Sequence, residues 1–267
     1  MPEFSESLLC EFCHGAVNLE ISIFPQNNAN RGFMPIFPQG AELLQVLEKE
    51  SRLPGPAANL SLLKQFVKEA TAEQAALCLN TLDKKPDPNS PATFVAMCGV
   101  AASADPEVFR KAANSDNWRI RESAVLGLQN LGLKNVDSLY SVFDSWENAN
   151  LLEKRCIAAT LCEPALIKTE EMAGKILGVL NEYMEIIELE KNVKSEEYRV
   201  FKKSMGYCIS VVVATNPEKG KEFFEEWMRS PSSEIRWVLS ENLKHDRLRK
   251  MDSEWADAQI EALSDVE

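Results

Sequence analysis

Apolar side chains recur every three or four residues along most of the chain from about Ala41 onwards. This spacing places them on one face of an α-helix, as at residues 43–47, 60–67 and 75–79. Proline and glycine separate such segments and predict short turns between helices of roughly ten to eighteen residues. No alternating apolar pattern bounded by hairpin turns follows residue 41, so the sequence predicts an all-α fold. The separators lie at residues 54–56, 86–91, 105–106, 163–164, 216–217 and 230–231.

Residues 1–40 have a different pattern, in which proline, glycine and asparagine interrupt short apolar pieces. The tetrapeptide Ile-Phe-Pro-Gln occurs here twice, at 23–26 and 36–39. Because a residue before proline favours extended backbone, we expect each copy to lie as a strap with its phenylalanine against the helices. The sequence thus predicts an irregular N-terminal strap over 1–40 that covers the open end of one helical array over 41–267.

A nine-residue frame recurs within the helical part. At residues 120–128 it has an aliphatic start, a basic second position, a small or apolar residue four positions on and an aliphatic end. The frame returns at 235–243, and looser copies begin at residues 154 and 201. Successive starts are 34, 47 and 34 residues apart, which is typical of a two-helix repeat unit. Positions 0, +4 and +8 share one helical stripe, so each copy is expected to present an apolar seam to its neighbours.

Two of these stretches resemble a known family. Residues 116–128, with the order Asp-Asn-Trp-Arg-Ile-Arg-Glu-Ser-Ala, are similar to the second helix of a HEAT repeat, and 233–243 resemble a closing HEAT repeat. Gly127 and Asn242 stand where the family pattern has a small alanine. The resemblance implies an α-α superhelix that serves as a scaffold. Because a minority of HEAT-like proteins are enzymes that process alkylated DNA, the resemblance also allows that function.

The charge of the chain narrows the class of partner. With 29 Lys+Arg against 41 Asp+Glu, the formal net charge is −12. Such a chain repels phosphate backbones, which disfavours nucleic acids and anionic membranes and favours a basic partner. The first twenty residues contain no lysine or arginine, and no segment approaches the ~18 apolar residues of a membrane span. We therefore expect a cytoplasmic protein.

A short motif near the N-terminus raises the question of a metal or haem. Cys10, Cys13 and His14 fit the Cys-x-x-Cys-His pattern of covalent haem attachment, and a thiol pair can also bind zinc. Export signals and further zinc ligands are missing, so the sequence favours a helical turn with inward thiols. The seven cysteines of the chain are expected to be reduced and buried. We predict no metal and no cofactor.

The sequence also offers little for catalysis. His14 and His245 are the only histidines, which counts against Ser-His-Asp and Cys-His sites. Glu182, Glu185 and Glu188 could form a general acid or a metal site, but they fit the solvated side of an amphipathic helix better. The residues expected on the opposite, apolar side are Ile186, Ile187 and Leu189. We expect a protein that is not an enzyme.

One basic run stands out in this acidic chain, at residues 244–250. It could contact an anion or a phosphate. A helix C-terminus, where cations offset the negative end of the macrodipole, is the simpler interpretation.

The predicted partner-binding residues follow from the frame. They are Trp118, Arg121, Arg155, Arg236 and Trp237. In a DNA-processing protein, Arg119 would join the tryptophans on a basic groove. In a scaffold, the rings would fill gaps between helices and the arginines would bond carbonyls or carboxylates. The sequence thus predicts a non-catalytic scaffold or adaptor for a basic protein or peptide, with HEAT-like DNA binding or alkylated-base repair as the alternative.

Overall fold

The computed structural model describes residues 37–264, and every regular element within this range is helical. The all-α prediction is therefore confirmed for this part of the chain. A 3-10 turn at Leu82–Lys84 follows the third helix. The α-helices are α1 (Gly40–Lys49), α2 (Leu60–Glu69), α3 (Ala72–Leu79), α4 (Pro91–Ala101), α5 (Pro106–Ala113), α6 (Trp118–Lys134), α7 (Val136–Asp144), α8 (Leu151–Leu161), α9 (Glu170–Leu189), α10 (Glu196–Thr215), α11 (Pro217–Trp227), α12 (Ser233–Leu243), α13 (Asp246–Met251) and α14 (Ser253–Ser264).

Local side-chain chemistry fixes where many helices begin. Thr71 starts α3 with a capping box, in which its hydroxyl and the amide of Gln74 satisfy each other's backbone N–H groups. Asn150 and Glu153 do the same for α8. Proline occupies the first position of α4, α5 and α11, where its missing N–H costs nothing. The proline signals in the sequence therefore mark helix starts as well as turns.

The chain divides into two compact units. The described part of unit 1 comprises residues 37–103 and 117–123, and that of unit 2 comprises 104–116 and 124–264. The helix α6 contributes its first residues to unit 1 and the remainder to unit 2.

Unit 1 is built around α4. Residues 93–101 of this helix are all buried, and α1, α2 and α3 pack against it. Gly99 allows the closest of these approaches, because a Cβ atom there would lie 2.6 Å from the backbone nitrogen of Leu79 in α3. The absence of a side chain at this position is therefore a packing requirement.

Residues 37–39 of the second Ile-Phe-Pro-Gln copy lie at the start of the described chain. The ring of Phe37 is buried and meets Phe66 edge-on, with the ring centroids 5.1 Å apart. Gln74 donates hydrogen bonds to the carbonyls of Phe37 and Pro38 at 3.0 and 3.1 Å. Phe37 thus packs against the helices, as the sequence predicts, whereas the first copy lies outside the described residues.

Unit 2 is organised around α10. This helix packs against α8 and α12, and also contacts α9, α11 and α13. Its frame positions Phe201, Met205 and Ile209 are all fully buried. They form the apolar seam that the frame predicts.

The other copies of the frame place their stripes in the same way. The buried stripe residues are Ile120, Ala124, Leu128, Ala158, Cys162, Ile235, Leu239 and Leu243. Lys154, the start of one loose copy, is half-buried instead. Within unit 2, α8 packs along α10, and α10 packs along α12. A hydrogen bond of 3.1 Å from Gln129 in α6 to the carbonyl of Ala159 joins α6 to α8. The helices that carry the frame in unit 2 are therefore neighbours.

A buried amide ties α12 to α10. Asn242 accepts a hydrogen bond of 2.7 Å from the backbone N–H of Ser210, and donates to the carbonyls of Met205 and Val238 at 2.8 Å. Its side chain has no exposed surface. The residue that departs from the HEAT pattern thus supplies polar bonds that an alanine could not form.

Replacing Gly99 by alanine should destabilise the protein by about 1–3 kcal/mol, because the new methyl group meets the α3 backbone, which cannot rotate away. Gly178→Ala is the matched control, since a Cβ atom at this exposed position of α9 meets nothing within 4 Å. That change should stabilise the protein by about 0.5–1 kcal/mol through helix propensity. Urea denaturation measures both. Equal effects of the two substitutions would contradict the close α3–α4 contact.

Candidate functional site

Trp237 is the most accessible of the predicted partner-binding residues, with 37% of its surface exposed. It lies on α12 in unit 2. The ammonium group of Lys202, on α10, sits 4.4 Å from the centroid of its ring, in cation–π geometry. Glu234 pairs with the same ammonium group at 2.5 Å. The cation beside Trp237 is thus already neutralised within the protein.

Tyr198 extends this group of side chains. Its hydroxyl, with one proton to donate, lies 3.2 Å from the Glu234 carboxylate and 3.4 Å from the carbonyl of Ile187. Burial raises the pKa of Tyr198, and the negative charge of Glu234 raises it further. The phenol therefore remains a neutral donor, and the group connects α9, α10 and α12.

The predicted arginines of unit 2 have structural contacts. Arg236 donates a long hydrogen bond of 3.4 Å from Nη2 to the carbonyl of Leu263 in α14. Arg155 is only 3% exposed, which leaves it little surface to offer a partner. The binding role of both residues stays a prediction from the sequence.

In unit 1, the buried arginine is Arg119, which follows the predicted partner-binding residue Trp118 in the sequence. Arg119 is 1% exposed, and its Nη2 donates to the carbonyls of Gly55 and Pro56 at 2.8 and 3.3 Å. The ring of Trp118 covers the guanidinium at 4.4 Å, and burial lowers the pKa of Arg119. Arg121 is half-buried. Bonding to carbonyls is the structural alternative that the sequence leaves open for these arginines, and Arg119 does this.

A polar network at the start of α8 was missed by sequence reasoning. Glu153 is 4% exposed and receives hydrogen bonds of 2.9 Å from both Arg110 and Asn114. Burial by itself would raise the pKa of Glu153, but these donors outweigh it and hold that pKa below its ordinary value. The capping-box spacing of Asn150 and Glu153 is the only signal in the sequence that points to this polar network.

The basic run at 244–250 is largely engaged with neighbouring groups. Lys244 forms the C-cap of α12 and pairs with Glu241 at 2.5 Å. Arg247 donates to the hydroxyl of Tyr207 at 2.7 Å, and Arg249 pairs with Asp257 at 2.9 Å. The helix-end interpretation therefore fits the position of Lys244.

The acidic face of α9 corrects the sequence analysis at two residues. Glu182, Glu185 and Glu188 are exposed as expected, and Ile187 is buried. Ile186 and Leu189, however, were also expected on the opposite, apolar side. Ile186 is only half-buried, and Leu189 is 74% exposed. Leu189 lies two residues after Ile187, which is about 200° around a helix, so both cannot face the core.

Between residues 37 and 264, no three His, Cys, Asp or Glu side chains are grouped to hold a metal ion. In the same stretch, no helix has the length and apolar character that crossing a membrane requires. Cys10, Cys13 and His14 lie outside it.

The cysteines within the described residues are reduced and buried, as the sequence predicts. Burial raises the pKa of the Cys78 thiol to about 12 and raises the pKa of Cys98 well above its ordinary value. Both therefore stay protonated at neutral pH, which is typical of structural thiols rather than reactive ones.

Glu153→Gln should lower the free energy of unfolding at pH 7 by about 1–3 kcal/mol, because the neutral amide bonds Arg110 less well. A carboxylate whose pKa is lowered by folding stabilises the protein above its unfolded pKa, and this contribution is lost as pH falls through the folded pKa. The difference between variant and wild type should therefore shrink below about pH 4.5, the ordinary pKa of a glutamate. Urea denaturation at several pH values measures it.

Glu171→Gln serves as the control, since its ion pair with Lys175 is exposed to solvent. It should have no measurable effect at either pH. A Glu153→Gln difference that persists unchanged to pH 3 would contradict the electrostatic origin of the effect.

No family model, curated protein or solved structure matches this chain. The HEAT resemblance therefore rests on residues 116–128 and 233–243 alone.

Proposed function

We propose that this protein is a non-catalytic scaffold, a HEAT-like superhelix that binds a basic protein or peptide. The observation that carries this proposal is the packing of the frame helices in unit 2. There α8, α10 and α12 lie side by side with their apolar stripes buried. Helical repeats stacked in this way leave long surfaces open to a partner, because each unit contacts only its neighbours.

The charge distribution supports a basic partner. The net charge is −12, and the exposed side of α9 carries Glu182, Glu185 and Glu188. Beside Trp237, by contrast, the cation Lys202 is paired with Glu234. Carboxylates therefore dominate the field that an approaching molecule meets, and such a field accelerates the encounter with a cation.

The proposal is tested with the purified full chain and three fluorescent probes. These are a lysine-rich amphipathic peptide, the same peptide with every lysine replaced by glutamate, and a short DNA duplex. Fluorescence anisotropy at 50 and 200 mM salt should show binding of the lysine peptide only. Affinity should fall as the salt rises, because salt screens the exposed charges.

Two results would count against the proposal. Absence of binding to the lysine peptide at low salt would remove the support for a basic partner. Binding of the duplex that weakens steeply between 50 and 200 mM salt would favour the HEAT-like DNA-binding alternative instead.

A further inference from the structure

The C-terminal half of α9 presents an apolar pair inside an acidic rim. Leu189 is 74% exposed, more than Leu133 at 47% or Trp237 at 37%. Beside it, Ile186 is half-buried. The two side chains form the floor of a shallow open depression of ≈ 590 Å³ in unit 2. Glu182, Glu185, Glu190 and Lys191 complete its lining.

Helix geometry explains why these side chains share one face. Tyr183, Met184 and Ile187 are buried and define the core side of α9. Residues at i, i+3, i+4 and i+7 fall on one stripe of a helix, which groups 182, 185, 186 and 189 on the opposite side. The depression therefore follows from the same periodicity that builds the core.

Two carboxylates of the rim accept hydrogen bonds from neutral donors. Glu185 accepts a hydrogen bond of 2.8 Å from the side-chain amide of Asn181. Glu190 accepts one of 2.7 Å from the backbone N–H of Asn192. These bonds orient the carboxylates without neutralising them. Three carboxylates then face one cation, Lys191, around the apolar floor.

The negative charge of the rim favours one kind of binding partner for the depression over others. The N-terminal residues 1–36 carry four glutamates and one arginine, so this rim repels that segment. A second copy of the chain is also acidic, at −12. A segment in which lysine or arginine flanks an aliphatic side chain matches both the rim and the floor.

We propose that this α9 surface docks a short basic segment of a partner protein, with one aliphatic side chain placed against Leu189 and Ile186. Lysine or arginine side chains on either side of that anchor then face Glu182, Glu185 and Glu190. The proposal rests on the scaffold function above and assigns the partner's chemistry to one surface.

The test uses the lysine-rich amphipathic peptide, built with a single leucine stripe, and variants of the full chain. Leu189→Ser should weaken binding about tenfold by removing the apolar contact. The double variant Glu182→Lys/Glu185→Lys should weaken it by at least about tenfold at 50 mM salt, and by less at 200 mM. Anisotropy titrations measure each dissociation constant.

Matched controls separate this surface from general effects. Leu133→Ser removes another exposed leucine near a helix end, on α6. Glu222→Lys/Glu226→Lys makes the same change of charge on exposed positions of α11. Both should leave the affinity within about twofold of wild type. Circular dichroism should show the same helix content in every variant, because all the changed side chains are exposed.

Four other results of these experiments would overturn the docking proposal. Binding that is equal in wild type and Leu189→Ser overturns the docking surface while the scaffold function stands. Equal loss in the α9 and α11 charge variants overturns it too, since net charge alone then explains binding. If sedimentation shows a dimer that Leu189→Ser dissociates, the occupant is a second copy and the proposal is wrong. Absence of peptide binding to wild type rejects the proposal together with the function it rests on.

Discussion

The packing of α10 between α8 and α12 is the contact on which unit 2 depends. Phe201, Met205 and Ile209 are fully buried, and each such side chain contributes roughly 1.5–3 kcal/mol when removed from water. The neighbouring helix supplies Ile235 and Leu239 to the same interface. Because these residues recur at every fourth position, the contact extends along the helices rather than being confined to one crossing point.

Polar groups make this contact specific. Apolar seams can slide along each other, whereas the amide of Asn242 bonds a backbone donor and a backbone acceptor of α10 in one register. Near the other end of α12, Glu234 receives hydrogen bonds from Tyr198 and Lys202 of α10. Polar contacts near both ends of α12 therefore fix its alignment along α10. If one helix slid along the other, these hydrogen-bonding groups would lose their partners.

The same periodicity shapes the outer surface. A helix that commits one stripe to the core must present the opposite stripe to solvent, and in α9 that stripe contains Leu189 as well as glutamates. An exposed leucine within a ring of carboxylates combines apolar area with a directional field. The proposed docking of a basic segment uses both.

The sequence predicts the helices well because its signals are local. Apolar spacing and prolines before α5 and α11 mark elements whose bonds close within a few residues. The buried stripes of the frame follow from the same spacing. Ile186, Ile187 and Leu189 cannot share one side of α9, because Ile186 and Leu189 lie about 100° and 200° around the helix from the buried Ile187.

Other features could not be predicted because they depend on distant chain segments. Arg119 bonds Gly55 and Pro56, more than sixty residues away. Glu153 is bonded to Arg110, whose partner cannot be inferred from spacing. Only the fold brings these groups together. The nine-residue frame therefore identifies arginines in the sequence but cannot tell which of them is buried.

A designed disulfide tests the central claim, the side-by-side packing of the frame helices, most directly. A Cβ atom on Gly206 of α10 would lie 3.0 Å from the Cβ of Glu241 in α12, so Gly206→Cys/Glu241→Cys should form a disulfide after a small adjustment. Mass spectrometry of the oxidised, digested protein should recover the peptide linking 206 to 241. In Gly178→Cys/Glu241→Cys, used as a control, no such link should form, because nothing lies within 4 Å of a Cβ at Gly178. Failure to recover the 206–241 peptide, or equal linking in the control, would contradict the account.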